Sequence, residues 1–375
     1  MLVCGEPSGD LLGAQLMAGL KQLEPGIGIT GVGGPAMAAE GLDSLFPLDA
    51  TAVMGLREVV PAIPAILRRV REASDFALKT RPDAVVLIDS PDFTHRIAQR
   101  LKRIDPTIRT VNYVAPQVWA SRAYRARKMA RYFDLALTLL PFEAPFFERY
   151  GLHAVFVGHP VIERADKIKG GAEFRARHGI AADAPLLAVL PGSRTSEIRF
   201  ILPVFKEAVA LIAKQVPGLV SVLPTVPHVA ARVREAVKDW PAPLHLIEGD
   251  DEKFAAFDAA NAALAASGTV TTELALSGTP MVVGYKVGGL TYALASLVMN
   301  VRYITLVNVL LDREAVPEFV QERCRPDLLA GATVELFADK DSERADLDEA
   351  ARLLGRGGER PSLRAARAIL DFAKT

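Results

Sequence analysis

The sequence predicts an α/β protein made of two Rossmann-like halves, on three observations. Short apolar, β-branched runs recur, each closed by Gly, Pro, Ser or Asp and followed by a helical pattern, the mark of βαβ units with parallel strands. The 375 residues exceed what one hydrophobic core usually serves, which favours two domains. Midway, the series of runs breaks at the polar, charged stretch Glu163–Arg177, which reads as a linker.

In the first half the predicted strands are 2–4, 27–32, 84–88, 110–114, 135–139 and 154–157. In the second they are 186–190, 220–223, 244–247, 262–266 and 281–285. The boundary falls near residue 162, giving a first domain 1–162 and a second 163–345. In the tail 346–375, Leu347, Ala350, Ala351 and Leu354 stand at helix spacing, Gly357-Gly358 breaks the pattern, and a second helix starts near Ser362. This tail is expected to pack back on the first domain. Ligands of open parallel sheets sit beyond the carboxyl ends of the strands, so two facing halves predict a site in the cleft between them.

Composition excludes several classes. Hydrophobic residues make up 50% and charged residues 23%, a globular balance. Lys+Arg 44 equals Asp+Glu 44, so no global basic field draws the chain to nucleic acid. Cys4 and Cys324 stand far apart without Cys or His at ligand spacing, and the six histidines are scattered, so a reduced compartment and no metal site are expected. No uncharged apolar run of about 18 residues and no basic segment leading into an apolar stretch appear. The chain is expected neither to span a membrane nor to be exported, though it can lie on one.

Five loops after strands carry residues suited to chemistry. Gly192-Ser193-Arg194 feeds a helix start, whose N–H groups, dipole and guanidinium suit a diphosphate; an ordinary turn with a surface arginine is the alternative. Ser267-Gly268-Thr269-Val270-Thr271-Thr272-Glu273 is a second such turn, with small hydroxyl residues to cap a helix and Glu273 one turn in, placed either for ribose hydroxyls or as a solvated side chain. Asp89, at the end of a buried strand, is placed for general-base work; Asp89 or Asp92 otherwise caps the next helix. Gln117 and Trp119 lie in an aromatic, amide-bearing loop ahead of Arg122, Arg125, Arg127, Lys128 and Arg131, cations that form a solvated face or meet either a phosphate on an acceptor or anionic lipid head groups. Met54, Val59, Val60, Ile63, Ile66 and Leu67 form an apolar stripe ending in arginines, which suits an interfacial segment or a core helix, the latter made harder by Pro61 and Pro64. Gly5-Glu6-Pro7-Ser8-Gly9-Asp10 packs two glycines, a serine and two carboxylates into one loop, open to three readings: a phosphate cradle, a nucleophile's perch or a tight turn.

The motifs GEPSGD (5–10), GVGGPAM (31–37), VMGLREV (53–59), IDSPDF (88–93), YVAPQVWA (113–120), LPFE (140–143), FVGHP (156–160), LPGSR (190–194), ASGTVTTEL (266–274) and PMVVGYK (280–286) together resemble those of bacterial lipid-A-disaccharide synthases, in that family's order and over most of the chain. The resemblance implies a GT-B type glycosyltransferase, without metal or other cofactor, peripheral at the cytoplasmic face of the inner membrane, with a homodimer possible. It implies inverting transfer of 2,3-diacylglucosamine from its UDP conjugate to the 6-hydroxyl of 2,3-diacylglucosamine 1-phosphate. By motif match Asp89 is the base, Arg194 holds the diphosphate, Glu273 the ribose, Ser267–Thr272 supply backbone donors, and Asn308 matches a polar residue of the family's cleft. The stripe from Val59 to Leu67 matches the patch that receives acyl chains and docks on the bilayer. With the chain so placed, the turn 5–10 is expected to meet the acceptor sugar or the transferred sugar through Glu6, Ser8 and Gly9, with Asp10 capping the following helix. The first strand is shorter than the family's, which leaves open whether the chain starts upstream of Met1. The competing readings are another UDP-sugar enzyme of the same fold and a non-catalytic lipid-binding protein.

Overall fold

The computed structural model describes residues 1–48, 56–121, 124–289, 292, 301–339 and 341–374, the side chains of 56–62 excepted. The chain divides into two compact units, Met1–Pro160 with Gly357–Thr375, and Val161–Arg356.

The first unit opens with β1 (Leu2–Cys4), α1 (Pro7–Leu23), β2 (Gly31–Val32), α2 (Pro35–Ala39) and α3 (Leu56–Thr80). It continues through β3 (Val85–Ile88), α4 (Pro91–Ile104), β4 (Thr110–Tyr113), α5 (Tyr124–Met129), β5 (Leu135–Thr138), α6 (Ala144–Glu148) and β6 (His153–Phe156). All strands pair in parallel in the order β2-β1-β3-β4-β5-β6. β3 reads Val-Val-Leu-Ile and is buried throughout, as expected of a strand covered by helices on both faces. The order reverses between β1 and β3, which makes their carboxyl ends the topological switch point of this sheet.

The second unit runs α7 (Gly171–Arg177), β7 (Leu186–Leu190), α8 (Thr195–Phe200), α9 (Leu202–Ala213), β8 (Val220–Thr225), α10 (Pro227–Ala236), β9 (Leu244–Glu248), α11 (Asp250–Ala259), β10 (Ala262–Ala265), α12 (Thr269–Ser277) and β11 (Met281–Tyr285). It ends with α13 (Leu306–Leu311), β12 (Glu318–Val320), α14 (Pro326–Ala338) and α15 (Arg344–Leu353). Its parallel order β12-β11-β10-β7-β8-β9 reverses between β7 and β10.

The last helix, α16 (Pro361–Lys374), returns to the first unit, where Ala365, Ala366 and Ile369 join Leu16, Met17 and Leu20 of α1 in one core. Gly19 permits this approach, since a Cβ there would sit 3.0 Å from the Ser362 carbonyl oxygen.

Four expectations need correction. The expected strand 27–32 is only Gly31–Val32, because Ile27 and Ile29 pack onto the core from a loop. β12 went unread, being three residues long and led by a glutamate. The tail 346–375 does not move as one piece: Leu347 and Ala350 of α15 belong to the core of the second unit and only the chain from Gly357 returns to the first. The prolines do not break α3; the helix runs through Pro61 and Pro64, and Pro64 lies on an exposed stretch where a carbonyl that loses its N–H partner can be hydrated.

Candidate active site

In the first unit the turns after β1 and β3 interlock. Register places Cys4 opposite Ile88, so Gly5 and Asp89 leave the sheet side by side. A Cβ on Gly5 would lie 2.6 Å from Ser90 Oγ, and one on Gly9 3.0 Å from Cys4 Cβ and 3.3 Å from the Ile88 carbonyl oxygen. Both glycines of this turn therefore serve close packing against the turn that carries Asp89. That second turn is strained, with Asp89 at φ 52° and Ser90 at φ 44°, a region that costs non-glycine residues about 1–3 kcal/mol each. It is held there by the Asp89 N–H donating to the Tyr113 carbonyl at 2.9 Å and by Thr94 Oγ1 donating to the Asp89 carbonyl at 2.6 Å.

The Asp89 carboxylate is half-buried and accepts from Ser8 Oγ at 3.0 Å. Burial, followed by the charge of Asp89, raises the pKa of Glu6, against a hydrogen bond from Ser90. Two carboxyl groups thus share this switch point, and the neighbouring charge makes Glu6 hold its proton longer.

Neither Asp89 nor Asp92 caps α4: the N-cap is Ser90, without a side-chain cap bond, and Asp92 sits exposed in the first turn. Asp10 does not cap its own helix either. It lies within α1, and its oxygens accept from Gly34 N, Ala36 N and Met37 N at 2.7–3.0 Å, capping α2 instead.

Gln117 is exposed in the loop after β4, which leaves the sheet through Val114 at φ 72°, costly for a β-branched residue. Trp119 is half-buried and fixed at both ends of its ring: its Nε1–H donates to Glu143 Oε1 at 3.0 Å, and Phe142 meets it edge-on at 5.3 Å. Glu143 Oε2 in turn accepts from Leu139 N and Leu140 N. Burial raises the Glu143 pKa, against those three donors.

In the second unit the turns after β7 and β10 flank the other switch point. Gly192 has φ 106°, and a Cβ there would lie 2.3 Å from Glu197 Oε2. That oxygen accepts from Ser193 N at 2.8 Å and Arg194 N at 3.0 Å, so the amides expected to hold an anion are occupied by the chain's own carboxylate. Arg194 Nη1 donates to Glu197 Oε1 at 2.8 Å while its side chain stays 76% exposed, so the guanidinium retains open donors. Glu197 is the N3 partner of a capping box whose N-cap is Arg194, so the usual signature of Ser or Thr three residues ahead of the glutamate is absent and the sequence did not reveal it.

At the second turn Gly268 is the N-cap of α12 without any side-chain cap, which corrects the expectation of hydroxyl capping. Ser267 Oγ donates to the Ile304 carbonyl and Thr271 Oγ1 to the Gly268 carbonyl. Thr269 opens the helix, where Thr271 N donates to the Gly268 carbonyl at 3.2 Å while the N–H groups of Thr269 and Val270 come too early for an intrahelical acceptor. A Cβ on Gly268 would meet nothing within 4 Å, so internal packing does not require this glycine. Thr272 is buried.

Glu273 is 3% exposed, not solvated, and bridges two cations: Arg164 Nη1 at 2.6 Å and Lys253 Nζ at 3.1 Å. Neither partner was legible, since they lie far off in sequence on the stretch after β6 and on α11. Asn308 is fully buried with its amide spent internally, donating to the Val316 carbonyl and Glu318 Oε1 and accepting from Ala315 N and Val316 N. Glu318 also accepts from Ile304 N and Thr305 N, so this pair braces the start of α13 and offers nothing to a ligand.

Of the apolar stripe, Met54 lies outside the described residues, as do the side chains of Val59 and Val60; Arg122 is likewise outside. On α3, Ile63 is 42% and Leu67 37% exposed, while Ile66 packs on the core. No helix among the described residues is long and apolar enough to cross a membrane.

Residues 1–370 match the family model described as lipid-A-disaccharide synthetase. The lipid-A-disaccharide synthase of Rhodospirillum centenum is 48% identical over 99% of this chain and 93% of that protein. That of Paramagnetospirillum magneticum is 49% identical over 100% and 97%. Among solved structures, a putative UDP-N-acetylglucosamine 2-epimerase from Listeria monocytogenes superposes with a TM-score of 0.69 at 15% identity, covering 100% of this chain and 96% of that one. Acinetobacter baumannii MurG does so at 0.58 and 15%, covering 99% and 98%; at such identities the likeness speaks for the fold, a GT-B pair of Rossmann-like units. With two parallel sheets, each carrying its polar turns at a switch point, and full-length relatives at nearly half identity, this chain belongs to the lipid-A-disaccharide synthase family.

Proposed function

We propose that this glycosyltransferase moves 2,3-diacylglucosamine from its UDP conjugate to the 6-hydroxyl of 2,3-diacylglucosamine 1-phosphate, inverting the anomeric centre and releasing UDP. The observation that carries the reading is Asp89, held on a strained turn at the switch point of the first sheet with Ser8 Oγ at 3.0 Å. Its carboxylate takes the proton of the 6-hydroxyl as that oxygen bonds to the anomeric carbon and the bond to the diphosphate breaks. Ser8 orients the carboxylate, and Glu6, whose pKa is raised by burial and then by Asp89, stands beside it to hydrogen-bond a sugar hydroxyl.

Charge that develops on the leaving diphosphate is met by the exposed Arg194 guanidinium and the open N–H groups at the start of α12. Arg164 and Lys253 offset the charge of Glu273, so its oxygens accept ribose hydroxyls without repelling the phosphates. Ile63 and Leu67, exposed on α3 beside Arg68, supply apolar surface for acyl chains and for the face of a bilayer.

Mass spectrometry of products formed from UDP-diacylglucosamine and the 1-phosphate acceptor tests the reading. A disaccharide 1-phosphate is expected; tight UDP binding with no product would support a lipid-binding protein in its place.

A further inference from the structure

A cavity of about 340 Å3 lies on the first unit between α4 and α5. Of the cations between Ser121 and Arg131, Arg125 and Lys128 line it, three residues apart and therefore on one face of α5. Arg96 lines it from α4, its Nε fixed on the Asp92 carbonyl at 2.8 Å so that both terminal nitrogens remain to bind. Lys128 Nζ stands 5.0 Å from the centre of the Tyr124 ring, which holds the ammonium without neutralising it.

Asp92 is the one carboxylate on the lining, and among the described residues none of the three cations has a carboxylate within ion-pair distance. Deeper in, His95 Nδ1 lies 3.1 Å from the Tyr132 hydroxyl. Burial, then the charge of Arg125, lowers the His95 pKa to about 4, so it adds polar contacts and no charge near neutrality. The lining therefore carries three cations against one anion, with hydroxyl donors from Tyr124 and Tyr132.

We propose that this cavity binds a phosphate monoester, the 1-phosphate of the acceptor sugar, and so selects phosphorylated acceptors. The proposal rests on the transfer reading above. An excess of two positive charges matches the dianion that such a phosphate carries near neutral pH, and two guanidiniums grip tetrahedral oxygens more firmly than ammonium groups do. Position agrees: Asp89 precedes α4 by two residues, while His95 and Arg96 follow Pro91 by about 6 Å of helix rise, comparable with the width of a sugar ring. A sugar whose 6-hydroxyl faces Asp89 thus has its anomeric phosphate within reach of this cavity.

The test compares diacylglucosamine 1-phosphate with dephosphorylated diacylglucosamine as acceptors, using the full-length protein. The wild type should prefer the phosphorylated acceptor by at least about tenfold in kcat/KM, chiefly through KM. Arg125→Ala and Lys128→Ala should bring that ratio towards one, with unchanged UDP affinity and melting temperature, while Arg125→Lys restores part of it. Glucosamine 1-phosphate should compete with the acceptor in the wild type and about tenfold more weakly in the alanine variants. A preference that survives in folded variants overturns the proposal. So does a loss confined to vesicles of phosphatidylglycerol in phosphatidylcholine, which would give the cavity to lipid head groups. Absence of disaccharide from the wild type with either acceptor would instead overturn the transfer reading itself.

Discussion

Asp89 is where backbone strain, a hydroxyl and a second carboxyl converge, and its consequences are the most direct to measure. On the proposed reading Asp89→Asn keeps the shape and the Ser8 contact but removes the base, so kcat should fall by about 100- to 10,000-fold, while UDP affinity, which that reading assigns to the second unit, should stay within about twofold. Near-normal turnover would remove Asp89 from that role. Ser8→Ala loses one orienting bond worth about 0.5–1.5 kcal/mol, so kcat should drop several-fold with little change in donor KM. Arg194 already has a partner in Glu197, and on the proposed reading the diphosphate has to share or displace it. Arg194→Ala should still weaken UDP by about 1.5–3 kcal/mol, read by calorimetric titration, because the guanidinium is mostly exposed and its open donors are lost. An unchanged UDP affinity would defeat the assignment.

At the scale of elements, what was legible followed from how each element is stabilised. The buried strands β3, β7 and β10 stood out because helices cover both faces and demand an unbroken apolar run, and the turns after them were therefore found as well. What stayed hidden depended on partners distant in sequence. Asp10 reads locally as a cap for α1, yet its three acceptor bonds go to α2, more than twenty residues on. Asn308 reads as a polar cleft residue but is paired with Glu318, on a strand too short to show itself. The reassignment of Asp10 has a measurable effect: Asp10→Ala leaves three N–H groups, two of them in buried contacts, without this acceptor and should lower stability by about 2–3 kcal/mol, seen as an earlier transition of the first unit in thermal unfolding. Asp10→Asn, which keeps one acceptor oxygen, should recover part of the loss.

For the whole molecule, equal numbers of acids and bases hide opposite pH responses in the two units. In the first, His95 is pushed down to about 4 by burial and then by Arg125. It binds fewer protons folded than unfolded, so its contribution is full above its unfolded value and is lost as pH falls between about 6.5 and 4. In the second unit burial pushes Glu343 up to about 8, its Oε2 accepting from Met281 N at 2.8 Å while Oε1 is buried without a partner. This carboxyl binds more protons folded than unfolded, so stability is full below about 4.5 and declines as pH rises towards 8, by at most about 1.4 kcal/mol per pH unit. Glu6 and Glu143, raised in the first unit, work against His95 there, which makes variants necessary to separate the contributions. Scanning calorimetry of Glu343→Gln should show the second unit's transition losing its decline between pH 5 and 8, with the first unit's unchanged. His95→Gln should flatten the first unit's fall between pH 6.5 and 4 and leave the second alone. A Glu343→Gln profile parallel to wild type would mean that the carboxyl titrates normally in the folded protein, and the buried Oε1 would then need a donor.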